Sequence, residues 1–185
     1  VLVQSLTYVA SFQAITATGA SPVACDVDAK TCTLSVESAR NKITSKTKAI
    51  MPVHYAGGTG DLKGIYGLAR EHNLRVVEDA AHAFGSRSGA RVVGSFGDVV
   101  CFSFDGIKNI TSGEGGCIAS KDKNVLDAAR DARLLGVVND SSARFSGGRS
   151  WDSDVTAQGW RYHMSDIMAA IGREQLSRRG QLFSK

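Results

Sequence analysis

Strand-like and helical patterns alternate along the first 79 residues, and this alternation constrains the fold more than any other feature. Short apolar runs rich in β-branched residues are followed by stretches whose apolar residues recur at helical spacing. Strands are predicted at 1–4, 22–27, 49–54 and 74–79, and helices at 5–19, 35–42 and 61–72. Strands that alternate with helices are typical of right-handed crossovers between parallel strands. The sequence therefore predicts an α/β fold with a largely parallel sheet.

The second half of the chain extends this pattern and adds loops. Residues 80–97 are rich in Gly and Ser, which predicts loops and a short irregular strand. Strands are predicted at 98–104 and 117–119, helices at 121–135 and 165–176, and a polar connection at 136–158. That connection is long enough to be either a functional loop or a mobile segment. The loop after residue 104 follows the carboxyl end of a strand, where open α/β sheets build their ligand sites.

Length and composition limit the classes of protein that need consideration. A chain of 185 residues fits one domain, and 43% hydrophobic with 22% charged residues is ordinary for a globular protein. No apolar run approaches the roughly 20 residues that span a bilayer. The net charge of +4 comes from scattered residues, which disfavours nucleic-acid binding. The four cysteines form no C-x-x-C pair, which indicates free thiols in a reducing cytoplasm and no metal site.

Three polar residues lie at or just after the ends of neighbouring strand patterns. Asp79 ends the strand in RVVEDAAHA, Ser103 lies near the end of the next long strand, and Lys108 follows in the loop. Taken alone, Asp79 is equally well explained as a cap of the segment that follows it. Taken together, the three match the needs of pyridoxal phosphate: an acid for the ring nitrogen, an amine for a Schiff base and a hydroxyl for the phosphate.

Four runs of this sequence closely resemble the sugar aminotransferases named after DegT, DnrJ, EryC and StrS. The runs are MPVHYAGGTGDL (51–62), VVEDAAHAFGS (76–86), GSFGDVVCFSF (94–104) and KNITSGEGG (108–116). The resemblance covers nearly the whole chain. It is specific because E-D-A-A-H-A and F-S-F-x-x-x-K-N occur in the family's order, about two dozen residues apart.

The resemblance implies a fold and a domain organisation. The expected architecture is a three-layer sandwich with a mostly parallel central sheet, the large domain of a fold type I pyridoxal phosphate-dependent transferase. Residues 1–185 would be most of this cofactor-binding domain. The family's upstream phosphate-binding loop and its C-terminal small domain are expected to lie outside this sequence.

The resemblance also implies roles at individual positions. Lys108 matches the lysine that forms the Schiff base and moves a proton between cofactor and substrate. Asp79 matches the partner of the pyridinium nitrogen, and Ser103 matches a phosphate ligand. Tyr8 matches the aromatic residue that stacks on one face of the ring, and Ala81 the residue on the other face.

Three of these positions also have ordinary structural explanations. His82 matches a His or Gln near the ring hydroxyl, but it is equally well explained as a hydrogen-bonded loop histidine, as Tyr8 is as a core aromatic residue. In G-W-R-Y-H-M, Arg161 and His163 stand where relatives often carry an asparagine that reaches the phosphate of the neighbouring subunit's cofactor. Arg161 would replace it as a bidentate donor, or would be an ordinary interface or surface arginine.

The activity that the resemblance implies is transfer of an amino group, with glutamate as donor, to a keto sugar attached to a nucleoside diphosphate. Such enzymes serve the biosynthesis of cell-surface polysaccharide, lipopolysaccharide or antibiotic sugars. A homodimer with composite active sites is implied, with no nucleic-acid or membrane partner. The connection at 137–158 is a candidate contact to the nucleotide sugar or a disordered connector.

Other functions are weighed against specific residues. Related dehydratases that use the same cofactor carry histidine at the lysine position, so Lys108 argues against that reaction. A non-catalytic regulatory or assembly subunit of the same fold remains an alternative. A nicotinamide-binding protein is disfavoured, because no G-x-G-x-x-G follows an early strand.

Overall fold

A central six-stranded sheet organises the protein, whose computed structural model describes residues 1–138 and 154–184. Its strands are β1 (Leu2–Gln4), β2 (Val23–Cys25), β3 (Ala49–Met51), β4 (Arg75–Asp79), β7 (Val99–Ser103) and β8 (Gly116–Ser120). They lie in the order β2-β1-β3-β4-β7-β8. All neighbours pair in parallel except β7 and β8, which are antiparallel. The predicted largely parallel sheet is confirmed.

Helices connect the strands, and a small hairpin replaces the predicted irregular strand. The helices are α1 (Val9–Thr16), α2 (Val36–Asn41), α3 (Leu62–Glu71), α4 (Lys123–Ala132), α5 (Asp166–Ser177) and α6 (Arg179–Leu182), with a 3-10 turn at Tyr55–Gly57. The hairpin pairs β5 (Arg87–Ser88) with β6 (Arg91–Val92). No helix within residues 1–138 and 154–184 is long and apolar enough to cross a membrane. Residues 139–153 of the predicted polar connection lie outside the described residues.

Several predicted elements are shorter in the structure, for local reasons. Helix α1 begins at Val9 rather than Ser5, because Tyr8 has an extended backbone (φ −71°, ψ 147°) at the N-cap position. Strand β3 ends at Met51, and the next residue is Pro52, which has no N–H to donate to a sheet. Helix α4 ends before Leu135, whose φ of +61° is incompatible with a right-handed helix.

One face of the sheet is covered by an apolar cluster that includes α2 and α3. Leu2 pairs with Ile50, and Ile50 with Val76, so these three buried residues form a row across β1, β3 and β4. The same cluster contains buried residues from both helices: Ala39, Ile65, Leu68 and Ala69. The apolar residues of the amphipathic pattern of α3 are therefore the ones that pack against the sheet.

Replacing Leu68 with alanine is expected to lower the free energy of unfolding by about 2–5 kcal/mol, because the side chain is fully buried and its removal leaves a cavity. Leu68 is 1% exposed. Urea denaturation of the full-length protein measures the change, and a loss below about 1 kcal/mol would contradict this packing.

A second apolar cluster lies under the segments that follow β4 and β7. It consists of Ala80, Ala83, Val93, Val100 and Phe102, with Phe84, Phe104 and Ala119 packed against it. The Phe84 ring makes edge contacts with Phe102 (centroids 5.2 Å apart) and Phe104 (5.6 Å). The cluster holds the segment after β4 against the segment after β7.

Candidate functional site

Asp79 is fixed at the carboxyl end of β4 by backbone bonds on both sides. Its N–H donates to the Pro52 carbonyl and its own carbonyl accepts from the His54 N–H, each at 2.9 Å. On the other side, the Ala80 N–H donates to the Cys101 carbonyl at 2.8 Å. Asp79 is therefore an interior position of the sheet at its carboxyl edge, and its side chain is only half-buried.

Both oxygens of the Asp79 carboxylate accept a hydrogen bond. The Ser11 hydroxyl donates to Oδ2 at 2.7 Å, and the Ala81 N–H donates to Oδ1 at 3.2 Å. The second bond is the local capping role considered for Asp79, so that explanation is correct but incomplete. Ser11 is buried on α1, and its Oγ lies 2.7 Å from the Thr7 hydroxyl. Because the Ser11 hydrogen points to Asp79, Thr7 is the donor in that second contact.

Lys108 lies in the loop between β7 and β8, which is closed at its base. The Phe104 N–H donates to the Gly115 carbonyl at 2.8 Å, and the Ser112 N–H donates to the Phe104 carbonyl at 2.9 Å. The Lys108 N–H donates to the Asp105 carbonyl at 3.0 Å, a turn that fixes its backbone. Across the described parts of the chain, the Lys108 amine forms no hydrogen bond or ion pair.

Two contacts bring the Lys108 loop and the end of β4 to the same region. The Asn109 amide donates to the Phe84 carbonyl at 2.7 Å, which ties the loop to the segment after Asp79. In the strand register Asp79 pairs with Cys101, and Ser103 follows two residues later on β7. Residues i and i+2 of a strand share a face, so Ser103 lies on the same face of β7 as Cys101. The Ser103 hydroxyl accepts from the Asp105 N–H at 3.3 Å.

Tyr8, Ala81 and His82 lie on two segments: Tyr8 at the start of α1, and Ala81 and His82 just after β4. Tyr8 is 78% exposed at the N-terminal end of α1, so its interpretation as a core aromatic residue is wrong. Ala81 is the second residue after β4 and is half-buried. His82 is exposed, and its Nδ1 accepts from the Ala56 N–H at 3.4 Å, which confirms a hydrogen-bonded loop histidine.

Arg161 belongs to a different part of the chain. Its backbone pairs with Leu134 just beyond α4, and its side chain is exposed. The neighbouring aromatic rings of Trp160 and Tyr162 stack with centroids 6.2 Å apart. Contacts between Arg161 and the other predicted site residues are not formed among the residues that the structure describes.

Cys101 pairs with Asp79 in the strand register, and its thiol has a raised pKa. Burial raises the pKa of the Cys101 thiol to about 11, and the charge of Asp79 adds to the rise. A thiol rather than a thiolate therefore stands beside Asp79. All four cysteines are free, as the sequence predicts, and Cys117 is exposed.

A buried polar network lies behind Asp79 and was not predicted. Glu78 is 0% exposed and His54 is 1% exposed, with Oε2 and Nε2 2.7 Å apart. The Tyr66 hydroxyl donates to Glu78 Oε1 at 2.6 Å and accepts from the Asp98 N–H at 2.8 Å. Burial and the neighbouring Glu78 raise the pKa of the Tyr66 hydroxyl. A Cβ on Gly97 would collide with both the Glu78 carboxylate and the Tyr66 hydroxyl.

Sequence reasoning missed Ser11, Asn109 and this network. The sequence does contain a signal for Glu78: it is a carboxylate within an apolar strand pattern. Such a carboxylate must have a polar partner when it is buried. For Ser11 the signal is weaker: it lies four residues after Thr7, which places the two hydroxyls on one side of the chain. Neither pattern reveals the partner, which lies on another element.

One concave surface of the protein lies away from this region. A pocket of about 470 Å³ lies at the opposite, amino edge of the sheet and is lined by residues 43–45, 47, 48 and 72–74. It contains none of the predicted site residues. The side-chain chemistry at the carboxyl edge, rather than a cavity, therefore identifies the candidate site.

The sequence profile of the DegT/DnrJ/EryC1/StrS aminotransferase family matches residues 1–185. This chain belongs to that family. Uncharacterized protein MJ1066 of Methanocaldococcus jannaschii is 39% identical over 178 residues, which are 96% of this chain and 46% of that protein. The chain thus spans about half the length of the relative that it matches.

Solved structures of two similar proteins carry information on ligands. The PMP-form of Spr1654 from Streptococcus pneumoniae is 32% identical with a TM-score of 0.85, over 97% of this chain and 50% of that chain. A PLP-form of the same protein is also known. DesI, solved with its TDP-sugar product, is 29% identical with a TM-score of 0.83, over 97% of this chain and 43% of that chain. The fold is thus confirmed as part of the α/β large domain of fold type I aminotransferases.

Proposed function

We propose that the protein is a pyridoxal phosphate-dependent aminotransferase that moves an amino group from glutamate to a keto sugar linked to a nucleoside diphosphate. The observation that carries the proposal is the position of Lys108. Its amine has no polar partner within residues 1–138 and 154–184, and its loop is tied by Asn109 to the segment that follows Asp79. An amine kept free at the carboxyl edge of the sheet is available for a covalent bond to a cofactor.

The residues at this edge fit pyridoxal phosphate. Asp79 is held rigidly yet remains half-buried, so lone pairs of its carboxylate are available to a ring nitrogen. Ser103 accepts one bond from Asp105 and keeps its own hydrogen for a phosphate oxygen. Tyr8 and Ala81 offer an exposed ring and a small side chain for the two faces. When bound, pyridoxal phosphate supplies an electron sink for reactions at the amino carbon.

A distinct task is proposed for each of four residues: Lys108, Asp79, His82 and Arg161. The Lys108 amine would hold the cofactor covalently and would also act as a general acid and base. Asp79 would hold a proton on the ring nitrogen, and His82 would bind near the ring hydroxyl. Arg161 is proposed to reach the cofactor phosphate of a second subunit.

The assembly and surroundings of the enzyme are part of the proposal. Apolar side chains that are strongly exposed in the single chain, Ile107 (87%), Tyr162 (76%) and Ile167 (76%), support a homodimer. Residues 1–185 belong to the cofactor-binding domain, and residues 137–158 are the proposed contact to the nucleotide sugar. Four free cysteines are compatible with a reducing cytoplasm.

Turnover of the full-length protein tests the substrate class. Incubated with pyridoxal phosphate and glutamate, it is expected to aminate members of a panel of 3-keto and 4-keto nucleotide sugars, detected by mass spectrometry of the amino sugar. The matched control is the same panel of sugars without the nucleotide. Failure to aminate any nucleotide sugar, while the protein carries cofactor, would overturn the substrate assignment. Failure to bind the cofactor would favour a non-catalytic subunit.

A further inference from the structure

Ser11 connects two segments of the proposed site that lie far apart in the sequence. Its hydroxyl donates to Asp79 Oδ2 at 2.7 Å across 68 positions of the chain. Ser11 is 3% exposed, and its helix α1 begins directly after Tyr8. A hydrogen bond to a carboxylate is stronger than one between neutral groups, particularly where water is excluded.

The orientation of the Asp79 carboxylate is determined by its two donors. The Ala81 N–H holds Oδ1 from the same segment, and Ser11 holds Oδ2 from α1. With one donor alone the carboxylate plane can rotate about the Cβ–Cγ bond, whereas two donors on different oxygens stop this rotation. The Thr7 hydroxyl donates to Ser11 and so orients the hydroxyl toward Asp79.

We propose that Ser11 is a positioning residue, which holds the Asp79 carboxylate in the plane required by the cofactor's ring nitrogen and couples it to the helix that presents Tyr8. This inference rests on the proposed function, because it assigns Ser11 to the same site. Ser11 acts through Asp79 and does not itself touch the ring. Thr7 supports Ser11 in the same way, one step farther from the carboxylate.

The affinity of the full-length protein for pyridoxal phosphate, measured by equilibrium titration, tests this role. Ser11→Ala is expected to raise the dissociation constant roughly tenfold, the effect of one lost hydrogen bond to a charged group. Ser11→Thr keeps a hydroxyl and is expected to restore most of the affinity. Thr18→Ala is the matched control. Thr18 lies just beyond the other end of α1, and its hydroxyl donates to the Ile15 carbonyl rather than to Asp79.

A second measurement separates positioning from general stabilisation. In an Asp79→Ala background, Ser11→Ala is expected to change the dissociation constant by less than about twofold, because the residue through which Ser11 acts is gone. Thermal unfolding of the cofactor-free variants is recorded in parallel. If Ser11→Ala does not fold, Ser11→Cys replaces it, since a thiol keeps the size and weakens the donor.

The outcomes distinguish this inference from the proposed function. An unchanged dissociation constant in Ser11→Ala, or an equal loss in the Asp79→Ala background, overturns the positioning role while the proposed function stands. Absence of cofactor binding by the wild-type protein overturns the proposed function and this inference together. A loss that appears only when Asp79 is present supports the positioning role.

Discussion

Replacing Lys108 with alanine is expected to abolish covalent attachment of pyridoxal phosphate and to lower transamination by at least about 10²–10⁴-fold, the contribution of a positioned acid–base group. The wild-type protein is expected to show a visible absorption band with the cofactor, which the variant lacks. Borohydride reduction followed by peptide mass spectrometry is expected to place the cofactor mass on the peptide that contains Lys108. The physical reason is that Lys108 is the one lysine of the loop between β7 and β8, so alanine at this position leaves that loop without an amine.

Lys121→Ala is the matched control for this experiment. Lys121 is exposed and follows β8 at the amino edge of the parallel strands, so its removal is expected to leave the band and the turnover unchanged. Retention of the band or of full turnover by Lys108→Ala would show that another group carries the chemistry. Loss of the band in both variants would point to a general effect on folding.

Replacing His54 with leucine is expected to lower the free energy of unfolding by about 3–5 kcal/mol, because a fully buried carboxyl group loses one of its two partners. Among residues 1–138 and 154–184, the partners of the Glu78 oxygens are His54 and Tyr66, and the Glu78 side chain is 0% exposed. Thermal and urea denaturation of the full-length protein measure the change.

His72→Leu is the matched control, because the His72 side chain is 35% exposed and lies 3.5 Å from the exposed Glu71. Its effect on stability is expected to be much smaller, as for other surface ion pairs. The double variant His54→Leu with Glu78→Leu removes the orphaned carboxyl group and is expected to regain part of the lost stability. If His54→Leu and His72→Leu lower the free energy of unfolding by the same amount, the buried pair of His54 and Glu78 has no special role in stability.

The order of the elements and the nature of the fold could be predicted from the sequence, because both depend on local patterns. The apolar row of α3 and the β-branched strands occur at the predicted places, with ends displaced by up to about four residues. The ends were less predictable because caps decide them: Asp61 accepts from the Gly64 N–H at 2.8 Å and starts α3 one residue later than the pattern indicates.

The candidate site also has features that could be predicted from the sequence and features that could not. The places of Asp79, Ser103 and Lys108 in the fold could be predicted, because each lies at or just after the end of a strand whose apolar pattern is clear. Their roles at a cofactor are part of the proposal. The structure places Asp79 and Cys101 in register and ties Asn109 to Phe84, which brings the predicted segments together. Arg161 is not brought to them in the described residues, so its role remains a proposal about a second subunit.

What the sequence by itself determined is the alternation of strands and helices and the loop in which Lys108 stands. Both follow from the chain's local preferences and from the period of its apolar residues. Only the tertiary structure decided that Ser11 meets Asp79 across 68 positions, and that Glu78 is buried between His54 and Tyr66. Polar partners on different elements carry no periodic signal, because a hydrogen bond requires only that two groups meet, wherever the chain has brought them from.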